Sequence, residues 1–391
     1  MRAFFKKRRL FFLRRHRLPQ APATPEQKAA IRAGCETFLS FDKPRTAAAW
    51  VAALAGSPHL ALGLDSYSAG PAIALLEQRV ATLLGKEAAC WFPKGITAQQ
   101  AALLAHAEAR NAGTVALHPK SHIAIDEAGA LERLAGLRAL RLGTDHRHFG
   151  VAEMEKVTER LAAVVLELPL RRAGYQGLPW EALLAISGWA RAAEVPLHLD
   201  GARLWEVQPW IGRSLAEIAG LADSVYVSLY KGLGGIAGCV LAGSATVIAA
   251  AKTWRLRFGG DLPLAFPLVV SALDGLDAVL PRMEAYYHHA CALAAAIAKV
   301  PGLRVFPEPP HCNSFQVHFP AGAEAMQAAA LEFAQTHKFW TFGWFEQGLL
   351  PETSMGEVVV GEAAMALSPG EVNAALTALL ECCKRRTAIF S

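Results

Sequence analysis

The sequence predicts an α/β protein with a mostly parallel sheet, followed by a smaller α+β domain. Between residues 72 and 265, short apolar runs alternate with amphipathic stretches of about 10–15 residues, as strands alternate with helices in such folds. The chain has 391 residues, more than one hydrophobic core usually holds. Hydrophobic residues make up 53% of it and charged residues 19%, so we expect a packed globular protein.

The apolar periodicity assigns the elements of the larger part in order. Helices are predicted at 72–84, 97–110, 123–134, 154–161 and 180–193. Strands are predicted at 88–92, 114–117, 139–142, 163–168, 196–199, 224–228 and 237–242. Because strands buried on both faces are apolar throughout, these runs favour a parallel sheet covered by helices on each side.

The C-terminal part has a different pattern. Long helices are predicted over 264–300 with a break at Pro281, then strands at 303–306, 314–319, 339–342 and 357–361, with helices at 323–336 and 369–384. We therefore expect three parts: a basic tail and linker (1–25), a large α/β domain with an N-terminal arm (26–279) and a small α+β domain (280–391).

The net charge of +5 comes from the N-terminus. Residues 1–17 contain eight of the 39 Lys and Arg and no acid, so the remainder has 31 basic against 34 acidic residues, a charge of −3. The tail could bind anionic lipid or nucleic acid, or act as a targeting segment. We expect a frayed arm instead, or sequence upstream of the true start, because no helix cap or acidic residue anchors the segment.

Cysteine usage and hydropathy bear on the compartment. The seven cysteines include no C-x-x-C pair, and their odd number argues against a complete disulfide framework. No apolar stretch approaches the length of a membrane span. We expect a soluble cytoplasmic protein with no metal site and no nucleic-acid partner.

A lysine and an aspartate stand at the ends of apolar runs. Lys231 closes the run 224–231 and Asp200 closes 195–200. An amine that can form a Schiff base, with a carboxylate that can hold a pyridinium nitrogen, is the minimum equipment for pyridoxal phosphate chemistry. Glu167 and the 118–122 loop also follow strands, where open sheets bind ligands. Alternatively, Asp200 caps a helix and Lys231 is a surface lysine in a glycine-rich turn.

Two competing motifs overlap this region. Ser228 to Lys231 matches S-x-x-K, the nucleophile signature of penicillin-binding proteins, but the S-D-N and K-T-G companions are absent from the sequence. Residues 232–237 nearly match G-x-G-x-x-G, but they end in Ala237 and lie far from the start of the α/β region. Neither motif outweighs the lysine–aspartate pair.

Several runs, taken in order, resemble the threonine aldolase and aromatic amino acid β-eliminating lyase family of fold-type I pyridoxal phosphate enzymes. The runs are 65–71, 76–89, 101–106, 121–122, 127–129, 198–203 and 231–234. The resemblance extends from about 60 to 375. It implies an aspartate aminotransferase-like large domain and a cofactor, pyridoxal 5′-phosphate, bound in that domain.

The resemblance also implies roles for individual residues. Lys231 would be the Schiff-base lysine and Asp200 the partner of the ring nitrogen, while His122 would stack on the ring. Arg203 would contact the cofactor or the substrate carboxylate. The remaining cofactor-binding candidates are Ser228 and the phosphate turn of Lys94, Gly95 and Ile96.

This chain departs from the family pattern mainly where the substrate is handled. Lys94-Gly95-Ile96 replaces a Ser-Gly-Thr turn, and Tyr230 replaces the serine before the lysine. Residues 168–172 lack the aldolase histidine that follows Glu167, and residues 357–362 lack the arginine that grips the substrate carboxylate. We expect intact cofactor attachment beside a rewritten substrate site.

The function expected from the resemblance is a lyase acting on a small amino acid. In the aldolase version, a β-hydroxy-α-amino acid is cleaved between Cα and Cβ to glycine and an aldehyde, with His122 or a water as base. The alternatives are β-elimination from another amino acid, and a cofactor-binding homologue without turnover. The family also implies a homodimer or homotetramer.

Overall fold

A computed structural model describes residues 23–390, so the predicted basic tail lies outside the described residues. The helices are α1 (Pro25–Ala33), α2 (Ala47–Ala55), α3 (Pro71–Leu83), α4 (Gly95–Arg110), α5 (His122–Ile125), α6 (Ala130–Arg133), α7 (Val151–Met154), α8 (Trp180–Ala192), α9 (Leu204–Ile211), α10 (Leu215–Ala219), α11 (Ala245–Arg257), α12 (Phe266–Ala278), α13 (Met283–Ile297), α14 (Ala323–His337) and α15 (Pro369–Phe390). No helix within 23–390 is long and apolar enough to cross a bilayer.

The strands are β1 (Thr37–Phe38), β2 (Ala88–Phe92), β3 (Thr114–Leu117), β4 (Arg138–Arg141), β5 (Leu161–Glu167), β6 (Leu197–Gly201), β7 (Ser224–Ser228), β8 (Cys239–Gly243), β9 (Arg304–Phe306), β10 (Ser314–Phe319), β11 (Phe339–Trp340), β12 (Glu346–Gln347) and β13 (Ser354–Val359). Seven of them form the central sheet in the order β2-β8-β7-β6-β5-β3-β4. Only β8 runs against its neighbours in this sheet. The predicted mostly parallel α/β fold is confirmed.

Helices cover both faces of the sheet because successive strand residues point to opposite sides. Along β7, Val225 and Val227 pack with α3, α9 and α12, whereas Tyr226 packs with α4 and α11. Every residue of β5, β6 and β7 is buried. These three strands run parallel, so their carboxyl ends lie side by side and carry Glu167, Asp200 and Ser228 to one edge.

A second sheet is built from the C-terminal part of the chain. It is antiparallel, with the strand order β12-β13-β10-β9. Helices α13 and α14 pack on it, and α15 packs against both of these helices. The predicted strand at 339–342 was wrong in extent: β11 is two residues long, and it pairs with β1. The side chain of Trp340, in β11, forms a small cluster with Phe38, Cys35 and residues of α14. The N-terminal arm therefore packs against the C-terminal part.

Two predicted helices differ in the structure. The helix predicted at 123–134 is two short helices, α5 and α6, because Ala128 (φ 52°) and Gly129 (φ 73°) adopt left-handed backbone between them. The helix predicted at 154–161 was wrong: α7 ends at Met154, and Leu161 already pairs with Thr114 as the first residue of β5. Sheet pairing overrides the weak helical periodicity there.

Candidate active site

Lys231 lies in the turn that follows β7. The Ser228 hydroxyl accepts hydrogen bonds from the backbone N–H groups of Tyr230 and Lys231, both at 3.4 Å, which shapes this turn. The ε-amino group of Lys231 has no hydrogen-bond or ion-pair partner within residues 23–390. Burial lowers the pKa of Lys231, and the positive charge of Arg203 lowers it further against the opposing effect of Asp200. An amine in this environment is biased towards its nucleophilic neutral form.

The amine faces a cavity of about 140 Å³ at the carboxyl edge of the sheet. Its lining consists of Lys94, Gly95, Ile96, Gln99, His122, Asp126, Glu127, Asp200, Tyr226, Tyr230 and Lys231. The structure thus brings together six of the eight residues that the sequence indicated. Ser228 and Arg203 lie outside this lining: Ser228 supports the lysine turn, and Arg203 lies on the side towards α9.

Two buried carboxyl groups stand side by side beneath the amine. Glu167 and Asp200 are paired across β5 and β6. Asp200 accepts one hydrogen bond, from the Ala202 N–H at 3.1 Å, and burial raises its pKa despite the nearby positive charge of Lys231. Burial also raises the pKa of Glu167, and the negative charge of Asp200 helps to bring it to about 7. A buried carboxylate with a free acceptor oxygen is suited to hold a protonated ring nitrogen.

His122 begins α5 and is oriented by carboxylates on two sides. Its backbone N–H donates to Glu167 at 2.6 Å, and its ring Nδ1 lies 3.1 Å from Oε1 of Glu127. Burial lowers the pKa of His122, but the bond to Glu127 and the charge of Asp200 outweigh this and raise it overall. Because the carboxylate accepts, Nδ1 carries the proton and Nε2 is left as the acceptor. The break between α5 and α6, at residues 126–129, brings the carboxylate of Glu127 within reach of the His122 ring.

The N-terminus of α4 forms another wall of the cavity. Lys94 is the N-cap residue, and its side chain makes no capping hydrogen bond. The first backbone N–H groups of α4 can therefore donate to a ligand. The Lys94 ammonium lies 5.8 Å from the centre of the Tyr230 ring. A Cβ atom at Gly95 would lie 2.3 Å from the Tyr226 hydroxyl oxygen, so only glycine fits. This corner suits an anion such as a phosphate ester.

Arg203 belongs to a second group of buried charges beside the lysine. Its guanidinium donates to Glu206 at 3.3 Å and lies 5.5 Å from the centre of the Tyr175 ring. The Tyr175 hydroxyl donates to Glu357 at 2.8 Å, and so does the guanidinium of Arg171. The sequence analysis did not assign roles to Arg171, Tyr175 or Glu357.

The two departures at 168–172 and 357–362 therefore meet in space. In β13 this chain has a buried acid, Glu357, and the loop after β5 supplies a guanidinium, Arg171, as its partner. The two opposite charges thus come from distant parts of the chain. No spacing in the sequence indicates this pairing, since 186 residues separate the two.

A row of neutral polar groups lies behind the cavity wall. His198 contacts Gln99 Oε1 through Nε2 at 2.6 Å and the Ser224 hydroxyl through Nδ1 at 2.7 Å. The same hydroxyl lies 2.7 Å from Nε2 of His106. Burial lowers the pKa of His198 to about 3 and that of His106 to about 4, so both rings are neutral near pH 7.

Comparison with known proteins agrees with this geometry. Residues 46–320 match the family model described as β-eliminating lyase, which is well over half of the chain. The chain belongs to this family. Family membership makes it a pyridoxal phosphate-dependent lyase, which confirms the predicted family, enzyme class and cofactor.

Two solved structures are similar over nearly the whole chain. A Listeria monocytogenes protein assigned as an L-allo-threonine aldolase is 32% identical, with a TM-score of 0.84 over 92% of this chain and 98% of the other. An Exiguobacterium protein assigned as an aromatic amino acid β-eliminating lyase/threonine aldolase is also 32% identical, with a TM-score of 0.85 over 91% and 99%. Low-specificity L-threonine aldolase 1 of Arabidopsis thaliana is 28% identical, covering 60% of this chain and 68% of its own.

Gly95→Ala should weaken cofactor binding, because the new methyl group collides with the Tyr226 hydroxyl and displaces the start of α4. We expect at least a tenfold rise in the dissociation constant for pyridoxal phosphate, measured by absorbance titration of the apo-protein. Gly113→Ala is the control, since a Cβ there meets nothing within 4 Å. Equal affinity of the two variants would contradict the proposed role of this turn.

The substitution His106→Gln should reduce the amount by which acid lowers the free energy of unfolding. The folded-state pKa of His106 is about 4, below the usual 6.5, so only the unfolded state binds this proton between those pH values. Stability is therefore lost as pH falls from 6.5 to 4, by on the order of 3 kcal/mol for this group. Denaturant unfolding at several pH values should show a smaller loss for His106→Gln than for wild type. The exposed His288→Gln should behave as wild type; parallel curves for all three proteins would refute the assignment.

Proposed function

We propose that the protein cleaves β-hydroxy-α-amino acids between Cα and Cβ, releasing glycine and an aldehyde. The observation that carries the proposal is a cavity in which an amine of lowered pKa, Lys231, faces the buried carboxyl group of Asp200. Relatives named as low-specificity L-threonine aldolases, including those of Arabidopsis thaliana and Escherichia coli, support this choice within the lyases.

The residues of the cavity fit pyridoxal phosphate. Lys231 would hold the cofactor through its ε-amino group, Asp200 would keep the ring nitrogen protonated, and the N-terminus of α4 with Lys94 would hold the phosphate. His122 would lie against the ring. When bound, the cofactor supplies a conjugated ring that takes up the electron pair left on Cα.

The proton on the substrate's β-hydroxyl needs an acceptor, and His122 is our candidate. Its Nδ1–H is held by Glu127, which leaves Nε2 free to accept a proton while the carboxylate stabilises the resulting imidazolium. Glu127 is itself held by Gln100 at 3.0 Å, so the pair is rigid. This arrangement compensates for the missing histidine after Glu167.

Arg203 is our candidate for binding the substrate carboxylate. One N–H group of its guanidinium donates to Glu206, and the guanidinium lies over the ring of Tyr175. Its other N–H groups can therefore bind a planar anion. Arg171 is less suited, because Glu357 and Tyr175 already occupy two of its nitrogen atoms.

A second candidate function is β-elimination from an amino acid with a bulky side chain. Lys231 also borders a larger cavity of about 510 Å³, formed by the N-terminal arm, α12 and the second sheet. Trp50, Arg45 and Asn313 line this space, which could hold a side chain larger than that of threonine.

An amino-acid panel separates these functions. An aldolase should release glycine from threonine or allo-threonine, whereas a β-lyase should release pyruvate and ammonia from β-substituted amino acids. We expect glycine. Release of neither product by protein that carries the coloured cofactor would contradict both proposals and favour a non-catalytic homologue.

Lys231→Ala is the matched variant for this panel. It should lose both turnover and the absorption band of covalently held cofactor, because the attaching amine is gone. Lys252→Ala, an exposed lysine on α11, should keep both. A borohydride-reducible adduct at another lysine of the Lys231→Ala protein would refute the assignment.

We also propose that the protein is a homodimer or homotetramer. Leu64, Tyr67 and Leu264 expose 65%, 68% and 53% of their surfaces, and they lie together because the Tyr67 N–H donates to Pro263. Such an apolar patch is typical of a subunit contact. A monomeric mass by light scattering would contradict this.

We infer a reducing compartment such as the cytoplasm. Six of the cysteines, Cys35, Cys90, Cys239, Cys291, Cys312 and Cys382, are free thiols, and only Cys291 among them is more than slightly exposed. Burial raises the pKa of Cys90 and of Cys312 to about 12, so these thiols are unreactive packing groups.

A further inference from the structure

We propose that the side-chain amide nitrogen of Gln99 donates a hydrogen bond to an anionic oxygen of bound pyridoxal phosphate. We further infer that the row His198–Ser224–His106 positions this amide. The inference deepens the proposed cofactor site and rests on it. Gln99 would touch the cofactor, whereas the other three residues act through Gln99 and are positioning residues.

Gln99 stands where a cofactor contact is expected. It lies four residues after Gly95 on α4, so the two share the helix face that borders the cavity. Only 2% of its surface is exposed. Its oxygen is held by His198, and its nitrogen has no hydrogen-bond partner within residues 23–390. A buried amide donor without a partner is costly, so a ligand in the cavity would be expected to supply an acceptor.

The row of hydrogen bonds determines which end of the amide faces the cavity. Each neutral ring has one N–H, and Ser224 has one proton to donate. If His198 Nε2–H donates to Gln99, its Nδ1 accepts from the Ser224 hydroxyl, which in turn accepts from His106 Nε2–H. In this order, every N–H or O–H proton that lies between two of the four side chains is donated in a hydrogen bond.

The opposite order is less favourable for two reasons. It would place the N–H of His106 on Nδ1, which has no acceptor among the described residues, and an unpaired buried N–H is rarer than an unpaired lone pair. It would also turn the Gln99 oxygen towards a cavity that already contains the carboxyl groups of Asp200 and Glu127. The first order presents a donor to the cavity instead.

An amide donor fixed in this way complements the cofactor chemically. Pyridoxal phosphate carries anionic oxygens on its phosphate and on its ring, and both accept hydrogen bonds. Because His198 and His106 have strongly lowered pKa values, the row stays neutral and keeps its order throughout the physiological pH range. The hydrogen bonds that hold Gln99 are thus the same at all pH values near neutrality.

The test is titration of the apo-protein with pyridoxal phosphate, without amino acid, followed by absorbance. Gln99→Glu keeps the size and the contact with His198 but replaces the donor by a negative oxygen. We expect at least a tenfold rise in the dissociation constant. Ser224→Ala breaks the row and releases the amide, and we expect a rise of about threefold to tenfold.

Ser187→Ala is the matched control, because Ser187 is a buried serine whose hydroxyl donates to Leu221 outside the cavity. It should change cofactor affinity less than twofold, while lowering the apo-protein's unfolding midpoint as much as Ser224→Ala does. Wild-type affinity in Gln99→Glu would overturn the contact. Equal affinity of Ser224→Ala and Ser187→Ala would overturn the positioning role. Failure of the wild-type protein to bind the cofactor would instead refute the cofactor site itself.

Discussion

The site depends on two opposite charges brought together at the edge of a sheet that is buried on both faces. Asp200 is the last residue but one of β6, and Lys231 follows β7, the next parallel strand. In this environment electrostatic interactions are stronger than in water, and each group changes the protonation of the other. Burial and the negative charge of Asp200 raise the pKa of Glu167, on the strand beyond, to about 7, so this carboxyl group is about half protonated at pH 7. The remaining cavity residues surround this pair.

A buried ion pair close to Arg203 joins two distant parts of the chain. Arg171 follows β5 and Glu357 lies in β13 of the second sheet. Removing either partner alone would leave an uncompensated buried charge, so the two positions are coupled.

Local pattern was sufficient for most of the central sheet. The strands β2, β3 and β7 have the predicted bounds, because each is an apolar run between breaks. The failures occurred where long-range pairing decides. Leu161 enters a strand because Thr114 lies beside it, and β11 pairs with residues 300 positions earlier at Thr37–Phe38. Periodicity within a window carries no information about such partners.

By itself, the sequence determined the fold class, the family and the cofactor, because these depend on apolar runs and on chemical groups at strand ends. The residues that attach the cofactor stay a prediction. Only the tertiary structure determines which residues hold those groups in place. His106, Ser224, His198 and Gln99 are scattered over 126 positions, yet they form one row of hydrogen bonds. Contacts of this kind depend on how helices pack on the sheet, and only the folded chain brings such distant side chains within bonding distance.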